Sequence, residues 1–271
     1  MKTVALFGAG QIGAAVARLI GAGYGVCCFA DNAETKWGGE LVGIPVVPPR
    51  DALLFDPDCI CLCVLDDELA VQMRTQLDAL GYDGEILTPS ALKIFDARSA
   101  TMRLLAEQIN TFAIPGDVAE LGVFRGDFAV QINAAFPERT LHLFDTFEGF
   151  CVQDIEVERR NQYSRAEVGD FAETAKDIVD KRLICRERAI FHKGFFPATF
   201  RGCENLRFAF VSVDADLYAP TAAALPIFWE RLSPGGALMI HDVYSTQFCG
   251  VSHAVNDFCN EKIITTSKLV V

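Results

Sequence analysis

Residues 116–149, GDVAELGVFRGDFAVQINAAFPERTLHLFDTFEG, decide how most of this chain folds. The stretch predicts a strand, a glycine turn, a helix and a second strand. Residues 117–123 are apolar on both faces, which is typical of a buried parallel strand. Residues 141–144 form the second strand and end at Asp145. Because ligands of doubly wound sheets lie outside the carboxyl ends of the strands, we expect a ligand crevice at this edge.

The glycine turn at residues 122–126 and two acids should face this crevice. Glu120 lies in the first strand, and Asp145 follows the second at a good position for binding ribose hydroxyls. We expect the backbone N–H groups of the turn to be exposed and Asp127 to cap the next helix. An acid precedes the turn and repels phosphate. The turn therefore favours a ligand without a pyrophosphate, such as S-adenosylmethionine.

The composition limits the class of protein. A length of 271 residues suggests one large or two modest domains. The net charge of −12 argues against nucleic acid as a partner. No apolar run reaches the roughly 20 residues that span a bilayer, so no membrane segment is predicted. The ten cysteines are not spaced like a disulfide scaffold, which favours buried thiols in a reducing compartment such as the cytoplasm.

Residues 1–92 are predicted to form a first domain of Rossmann type. The strand Lys2–Phe7 leads into a complete G-x-G-x-x-G, and a second strand at residues 26–30 ends in an acid. This strand–turn–helix context is typical of dinucleotide binding. A degenerate scaffold or a dimerisation module is an equally supported alternative, because the fingerprint marks backbone geometry. The candidate nucleotide contacts are Gly8, Gly10, Gln11, Ile12, Gly13 and Asp31.

Polar residues follow two strands of the predicted second domain, the strand Phe208–Val213 and a strand at residues 237–240. They are Asp214 and Asp216 after the first strand, and His241 and Asp242 after the second. If the strands are neighbours, these side chains converge. Three carboxylates so close repel one another unless a proton or a cation neutralises them. Mg²⁺ is the simplest such cation, and the alternative is that some of these acids only cap helices.

A charged segment and two family resemblances complete the pattern. Residues 153–167 carry mixed charges and predict either a mobile lid or a solvated surface helix.

Residues 1 to about 90 resemble the N-terminal domain of sugar-nucleotide acetyltransferases and of some bacterial methyltransferases, through FGAGQIG, FADN and GIPVVPP.

Residues from about 95 onward resemble the macrocin O-methyltransferase (TylF-type) family of S-adenosylmethionine-dependent enzymes. The matching segments occur in the family's order: PGDVAELGVFRGDFAV, LFDTFEGF, GDFAET, KGFFPATF, VSVDADLYAPT, RLSPGGALMIHDVY and GVSHAVNDF. The resemblance implies a class I methyltransferase fold, and it implies self-association, since the family tends to form oligomers.

The same resemblance implies roles for individual residues. The implied cofactor contacts are Glu120, Gly122, Val123, Phe124, Arg125, Gly126, Asp145, Thr146, Phe147, Glu148 and Asp214, with Asp170 and Phe171 near the adenine. Asp214 would also be a metal ligand, Asp216 the general base, and His241 with Asp242 would complete the metal site. The family usually has two adjacent acids where this chain has His241 and Asp242. This departure predicts weaker metal binding, a different preferred metal or a metal-independent variant.

We therefore expect an α/β chain of two Rossmann-like domains, residues 1–92 and 93–271. The leading hypothesis is an S-adenosylmethionine-dependent O-methyltransferase that acts on a hydroxyl of a sugar or glycosylated small molecule. An NAD-dependent oxidoreductase using the first fingerprint is weaker, because no Tyr-x-x-x-Lys pair or catalytic histidine segment follows it. A third hypothesis is a nucleotide-binding or assembly protein without catalysis.

Overall fold

The chain divides into two compact units in the computed structural model, Met1–Leu104 and Leu105–Val271. The residues that the structure describes are 1–20, 23–92 and 96–262. The predicted domain boundary after residue 92 stays a prediction, because residues 93–95 lie outside the described ranges. Among the described residues, no helix is both long and apolar enough to cross a membrane. All ten cysteines are free thiols.

The first unit contains a six-stranded sheet in the order β3-β4-β2-β1-β5-β6. Only β3 and β4 pair antiparallel, and the other pairs are parallel. The elements are β1 (Lys2–Phe7), α1 (Gln11–Leu19), β2 (Tyr24–Ala30), β3 (Glu40–Leu41), β4 (Ile44–Val47), α2 (Pro49–Ala52), β5 (Cys59–Leu62), α3 (Asp67–Ala79), β6 (Glu85–Leu87) and α4 (Ala97–Thr111). The last of these contains the boundary between the units.

Local sequence explains the central elements of this unit. The interior strands β1 and β5 are apolar on both faces and are buried on both, as parallel strands between helices should be. Asp66 caps α3, because its side chain accepts the N–H of Leu69 at 2.8 Å. Residues 43–49 are rich in Gly and Pro and predict a turn. That prediction is wrong in part, because β4 lies within them and pairs with β2.

The second unit contains a five-stranded parallel sheet in the order β11-β10-β7-β8-β9. Its elements are β7 (Asp117–Leu121), α5 (Asp127–Ala135), β8 (Leu141–Asp145), α6 (Val152–Asn161), α7 (Lys176–Arg182), β9 (Ala189–Lys193), β10 (Phe208–Val213), α8 (Tyr218–Arg231), β11 (Leu232–Ile240) and α9 (Cys249–Lys262). The strand order reverses direction between β7 and β10. Ligands of doubly wound sheets bind at such a reversal, outside the carboxyl ends of the strands.

Two features of this unit differ from what the sequence predicts. Residues 233–236, Ser-Pro-Gly-Gly, predict a turn but belong to the first half of β11. The register between β10 and β11 shifts there, so Leu232 pairs with Phe208 and Ala237 already pairs with Phe210. Trp229 is predicted on the apolar stripe of α8 and is instead 41% exposed.

The charged segment at residues 153–167 is helical over its first part, and the helix exposes Arg159 and Arg160 while it buries one face. Helix α6 begins at Val152 and buries Asp154, Ile155 and Glu158. Glu158 is fully buried, and its Oε1 accepts the N–H of Tyr218, the first residue of α8, at 2.8 Å. This hydrogen bond satisfies one of the N–H groups that a helix leaves unpaired at its start. It also ties α6 to the segment that follows β10.

Candidate active site

The carboxyl ends of β7, β10 and β11 lie side by side and bring three predicted segments together. Asp214 donates its N–H to the carbonyl of Leu121 at 2.8 Å, and His241 donates its N–H to the carbonyl of Val213 at 2.9 Å. These bonds continue the sheet ladder one residue past each strand. The side chains that follow the strands therefore start from neighbouring backbone positions.

The glycine turn after β7 touches the segment after β10. A Cβ atom at Gly122 would lie 1.9 Å from the carbonyl oxygen of Asp214, and Gly122 has a φ of +84°. Only glycine accommodates both the left-handed backbone and this close approach. Glu120, two residues earlier, is 1% exposed and pairs across the sheet with Ser212. Glu120 thus lies between β10 and β8, with which it pairs at Leu143.

Asp145 at the end of β8 binds the same turn from the other side. Its Oδ2 accepts the N–H groups of Val123 and Phe124 at 2.6 and 2.9 Å, and its Oδ1 accepts the N–H of Phe147 at 2.6 Å. The prediction that the N–H groups of this turn are exposed is therefore wrong for Val123 and Phe124. It is also wrong for Gly122 and Gly126, whose N–H groups donate to the carbonyls of Phe144 and Val123. Asp145 fixes the turn and the start of residues 146–148 in one arrangement.

The helix cap predicted at Asp127 is displaced by one residue. The capping position of α5 is Gly126, with a φ of 81° and no side-chain cap. Asp127 is the first residue of the helix, where a negative charge interacts favourably with the helix dipole. It forms an ion pair with Arg182. In the same turn, Arg125 forms an ion pair with Glu173 at 2.6 Å.

The predicted adenine contacts lie against the segment after β8. A Cβ atom at Gly149 would lie 2.4 Å from the carbonyl oxygen of Asp170, and Phe150 donates its N–H to that oxygen. Asp170 is exposed and Phe171 is 41% exposed. The ring of Phe171 meets the ring of Phe124 edge-on, with 5.3 Å between centroids. Two of the predicted segments, 122–126 and 170–171, are thereby brought together.

Other side chains of the predicted cofactor segment hold the loop in place. The Thr146 hydroxyl donates to the carbonyl of Gly149 at 2.9 Å, and Glu148 pairs with Lys193 at 2.9 Å. Sequence reasoning missed the rings of Phe150 and Phe248, whose centroids lie 5.1 and 6.4 Å from that of Phe171. The repeated Phe in residues 147–150 was the available signal.

An acid and histidine cluster occupies the edge next to the glycine turn. The Nδ1 atom of His241 lies 3.1 Å from Oδ1 of Asp214 and 2.8 Å from Oδ2 of Asp242. One ligand atom from each of these residues lies within 4.8 Å of the other two. The structure therefore brings together the three side chains predicted as metal ligands, in an arrangement that one divalent cation could bridge.

Asp216 lies beside this cluster and shares a hydrogen bond with Asp242. Burial, followed by the negative charge of Asp214, raises the pKa of Asp216 to about 8. A carboxyl group whose pKa lies near neutrality is suited to accept a proton in general base catalysis. Asp216 therefore differs from an ordinary surface aspartate both in its buried location and in the pKa of its carboxyl group.

The backbone of these loops is strained at several non-glycine residues. Their φ angles lie between 48° and 61°, in the left-handed region, where such residues cost of order 1–3 kcal/mol each. The residues are Phe124, Phe147, Phe171, Asp216 and Asp242. Strain of this kind often marks functional sites, and here it falls on residues predicted from the sequence to bind cofactor, to bind metal or to act as the base.

The predicted nucleotide residues of the first unit also lie together. Gly8 has a φ of +116°, and a Cβ atom at Gly13 would lie 2.0 Å from the carbonyl oxygen of Gly8. A Cβ atom at Gly10 would meet nothing within 4 Å. Gln11 and Ile12 form the first turn of α1, where unpaired N–H groups and the helix dipole favour anions.

Asp31 completes this arrangement at the end of β2. Its Oδ2 accepts the N–H of Ala9 at 2.7 Å and pairs with Lys36 at 2.8 Å, and its Oδ1 accepts the N–H of Ala33 at 2.8 Å. Burial by itself would raise the pKa of the Asp31 carboxyl, but the lysine and the two amides outweigh it and hold the pKa below its ordinary value.

Comparison with known proteins agrees with the fold of the second unit. A model of the macrocin-O-methyltransferase (TylF) family matches residues 70–269, well over half of the chain. The chain belongs to the macrocin-O-methyltransferase (TylF) family. The α/β fold and the resemblance to the TylF family predicted from the sequence are confirmed, and the resemblance of residues 1 to about 90 to sugar-nucleotide acetyltransferases stays a prediction.

Two characterised proteins resemble this member of the TylF family. The 8-demethyl-8-(2,3-dimethoxy-alpha-L-rhamnosyl)-tetracenomycin-C 4'-O-methyltransferase of Streptomyces olivaceus is 27% identical over 171 residues, 59% of this chain. The mycinamicin III 3''-O-methyltransferase of Micromonospora griseorubida is 29% identical over 141 residues, 48% of this chain. The matched regions span 64% and 56% of the lengths of these relatives.

Two solved structures share the fold of this TylF family member. The O-methyltransferase NovP superposes with a TM-score of 0.51 at 20% identity, over 64% of this chain and 74% of NovP. The calicheamicin methyltransferase CalS11 superposes with a TM-score of 0.51 at 20% identity, over 76% of this chain and 90% of CalS11. At this level of identity the likeness concerns the fold alone.

Proposed function

We propose that this chain transfers a methyl group from S-adenosylmethionine to a hydroxyl of a sugar or of a glycosylated small molecule. The observation that carries the proposal is the convergence of Asp214, His241 and Asp242 beside the Gly122 turn, in a chain of the TylF family. Cofactor-binding segments and an acid cluster then share one edge of one sheet, as a transfer between two bound molecules requires.

The residues on the β8 side of the crevice fit S-adenosylmethionine chemically. Phe171 is 41% exposed and offers an apolar surface for an adenine ring. Asp145 and Glu120 place negative charge near the turn, which suits ribose hydroxyls and a cationic sulfonium. When bound, the cofactor supplies a methyl group already activated by positive sulfur. The protein then needs to bind and orient the two reactants, which can supply a large part of the rate enhancement.

The acid cluster fits a divalent cation, although its donor set is mixed. Asp214 and Asp242 offer carboxylate oxygens, which suit Mg²⁺, and His241 offers an imidazole nitrogen, which suits Mn²⁺ and later transition metals better. We retain Mg²⁺ as the first ion to test and add Mn²⁺ beside it. A cation bound there would lower the pKa of an acceptor hydroxyl and hold a neighbouring one.

Asp216 is the proposed general base. It lies next to the cluster, and its raised pKa matches a group that takes the hydroxyl proton as the oxygen attacks. The left-handed backbone at Asp216 orients this carboxyl relative to Asp214. The pairing of β7 with β10 holds Asp214 and Asp216 close to the glycine turn. The same loops therefore align the group that accepts the proton with the methyl donor.

A sugar hydroxyl is the proposed acceptor. Both characterised relatives are O-methyltransferases with glycosylated or complex natural products in their names, and one name specifies a rhamnosyl group. A vicinal diol fits an edge where one oxygen is deprotonated by Asp216 and the neighbouring one is held at the cluster. Rhamnosyl-tetracenomycin compounds and mycinamicin III are therefore the first acceptors to test.

Calorimetry and a methyl-transfer assay test the proposal together. S-adenosylhomocysteine should bind with micromolar affinity, and methyl transfer should depend on Asp216. We expect Asp216→Asn to lower kcat by at least 100-fold, in line with the loss of a general base, while the affinity for S-adenosylhomocysteine changes less than about twofold. Asp180→Asn, which removes an acid of a surface ion pair with Arg186, is the matched control and should leave both unchanged.

Two results would overturn this assignment. Absence of S-adenosylhomocysteine binding, with and without Mg²⁺ or Mn²⁺, would remove the methyltransferase proposal. Equal loss of binding and of turnover in Asp216→Asn would remove Asp216 as the base and make it a structural residue of the cofactor pocket.

A nucleotide site in the first unit, self-association and a cytoplasmic location stay predictions. The open space beside Gly10 supports the nucleotide site, because a pyrophosphate needs such an approach to the backbone. Titration with NAD and with sugar nucleotides tests it, and size-exclusion chromatography with light scattering tests self-association.

A further inference from the structure

A second cluster of potential ligand atoms lies within the second unit, apart from the acid cluster. It consists of His142 on β8, His192 on β9 and Cys203 in the turn before β10. His142 and Cys203 are each 4% exposed, and His192 is partly buried. The methyl transfer proposed above uses none of these side chains, so their proximity needs a separate explanation.

The geometry of this cluster resembles a three-ligand metal site. The Nδ1 atom of His142 lies 3.0 Å from Nε2 of His192, and Sγ of Cys203 lies 4.0 Å from that same Nε2. One ligand atom from each residue lies within 4.8 Å of the other two. Two nitrogens bound tetrahedrally at about 2.0 Å from one Zn²⁺ ion stand roughly 3.3 Å apart, so small side-chain shifts suffice.

Asp117 supplies the outer contact that metal-binding histidines usually have. Its Oδ2 lies 3.1 Å from Nε2 of His142. A carboxylate there accepts a hydrogen bond from the Nε2–H of His142, which leaves the lone pair of Nδ1 directed at His192. Metal-ligating histidines almost always donate their second N–H to a carboxylate or carbonyl in this way, and the contact fixes the tautomer and ring orientation.

The surroundings keep His192 neutral, which metal binding requires. Burial, followed by the charge of His142, lowers the pKa of His192 to about 4. The ring of Phe144 stacks on His192 with 4.2 Å between centroids, and Phe208 meets His142 edge-on at 5.8 Å. Burial raises the pKa of the Cys203 thiol, so a bound cation must displace its proton.

We propose that His142, His192 and Cys203 form a binding site for a borderline-soft divalent cation of the Zn²⁺ class. Two imidazole nitrogens and one thiolate suit Zn²⁺ and exclude Mg²⁺ as the preferred ion. Binding releases the Cys203 proton to solvent, moves the His192 proton from Nε2 to Nδ1 and forms two metal–nitrogen bonds and one metal–sulfur bond. No redox change occurs, and water occupies the fourth position.

β8 and β9 already pair through their backbones in the sheet, and such an ion would tie the turn at Cys203 to both. It would connect β8, β9 and the turn at Cys203 on the aromatic face of the sheet, where Phe144, Phe196 and Phe200 also pack. His142 lies three residues before Asp145 along β8. Its proposed role is therefore to hold the strand that ends in the cofactor-binding acid.

Cobalt substitution tests the proposal on the full-length chain. Co²⁺ bound by a thiolate gives a charge-transfer absorption that oxygen and nitrogen ligands do not give. We expect one equivalent of this absorption, displaced by one equivalent of Zn²⁺. The acid cluster contains no sulfur, so its occupancy does not contribute, and failure of the methyltransferase proposal would leave this signal unchanged.

Variants assign the absorption to the cluster. Cys203→Ala should abolish it, and Asp117→Asn should weaken Zn²⁺ affinity about 10–100-fold, the usual cost of removing an outer carboxylate. Cys185→Ser removes a partly buried thiol elsewhere in this unit and should leave affinity and absorption unchanged. Asp117 is half-exposed at the start of β7, so its variant remains informative if Cys203→Ala does not fold.

Three results would overturn the proposal. One is the absence of thiolate absorption at saturating Co²⁺ in the wild-type chain. A second is full absorption in folded Cys203→Ala, and a third is unchanged Zn²⁺ affinity in Asp117→Asn.

Discussion

The two glycine turns of this chain use the same arrangement of atoms in two different sheets. In the first unit, the N–H of Ala9 donates to Asp31 at the end of the next strand, at 2.7 Å. In the second unit, the N–H of Val123 donates to Asp145 at the end of the next strand, at 2.6 Å. Each acid ties the turn after one strand to the neighbouring strand.

The two acids differ in charge compensation. Asp31 forms an ion pair with Lys36, which cancels most of its charge. Among the described residues, Asp145 forms no ion pair and is held by backbone amides. The first pocket can therefore face a phosphate without repulsion, whereas the second keeps a negative charge that suits hydroxyls and a sulfonium. The two pockets thus have similar backbone arrangements but different charge, because Lys36 pairs with the acid of the first one.

The glycines of the two turns also differ in whether the packing of the protein leaves room for a side chain at their positions. Gly13 and Gly122 are required by the protein's own packing, since a Cβ atom at either would lie 2.0 Å or less from a carbonyl oxygen. Gly10 is not, because a Cβ atom there meets nothing within 4 Å. A glycine that packing does not require is the better candidate for a ligand contact.

The largest effect is expected for Gly122→Ala. The left-handed backbone costs about 1–2 kcal/mol and the collision with Asp214 adds roughly 1–3 kcal/mol, so the free energy of unfolding of the second unit should fall by about 2–5 kcal/mol. Urea unfolding followed by the fluorescence of Trp229, in a Trp37→Phe background, measures this loss, because the chain has two tryptophans, one in each unit.

Gly169→Ala is the matched control for that loss. Gly169 also has a positive φ, +88°, but a Cβ atom there meets nothing within 4 Å. Gly169→Ala should lower the free energy of unfolding only by the cost of the left-handed backbone, about 1 kcal/mol. Equal losses in the two variants would contradict the contact between the Gly122 turn and Asp214.

Two substitutions in the glycine turn of the first unit test the same contrast between a tightly packed glycine and an open one. Gly13→Ala should lower the stability of the first unit by about 1–3 kcal/mol, because the carbonyl of Gly8 cannot move far. Gly10→Ala should lower stability less, by about 0.5–1 kcal/mol, because alanine is a poorer N-cap residue than glycine but meets no clash there. The stability of each variant is read from Trp37 fluorescence in a Trp229→Phe background.

Nucleotide titration then separates the roles of these glycines. If a nucleotide binds at this turn, Gly10→Ala should weaken it at least tenfold while the first unit stays folded. A nucleotide that binds Gly10→Ala and wild type equally would show that this turn is a scaffold.

The strands that carry the site were predictable because each is a short, predominantly apolar run. Lys2–Phe7 and Phe208–Val213 match the structure to the residue. Strand β4 and the first half of β11 were missed, because short segments containing Pro and Gly have the composition of turns. Only pairing with a neighbouring strand keeps those residues extended, and composition does not encode it.

The candidate site was predictable in position but not in contacts. A polar residue directly after a buried strand lies at the carboxyl edge whatever its loop does, which located Asp145, Asp214 and His241. The bonds between these residues depend on left-handed backbone at non-glycine residues such as Phe124 and Asp216. No residue type signals that conformation, so the occupation of the turn amides by Asp145 was not predicted.

Removal of the charge of Asp145 tests the second pocket. Asp145→Asn keeps the size of the side chain but weakens three charge-assisted hydrogen bonds, each roughly twice as strong as a neutral one. We expect a loss of about 1–2 kcal/mol in stability and a loss of about 10–100-fold in affinity for S-adenosylhomocysteine. Calorimetric titration measures the affinity, with Asp31→Asn as the control that should bind it normally.

The smallest effect concerns the pH dependence of the first unit. Because the pKa of Asp31 in the folded chain lies below its ordinary value of 3.8, its ion pair stabilises fully above that value. The stabilisation is lost as the pH falls through the folded pKa. Asp31→Asn should therefore lower stability by about 1 kcal/mol at pH 7 and by less at a pH below 3.8. Urea unfolding followed by Trp37 at both pH values measures the difference, and Trp37 is a direct reporter because its Nε1–H donates to the carbonyl of Asp31 at 2.7 Å. A difference that grows as the pH falls would mean that Asp31 is buried without compensation, and the contrast with Asp145 would then rest on burial instead of on Lys36.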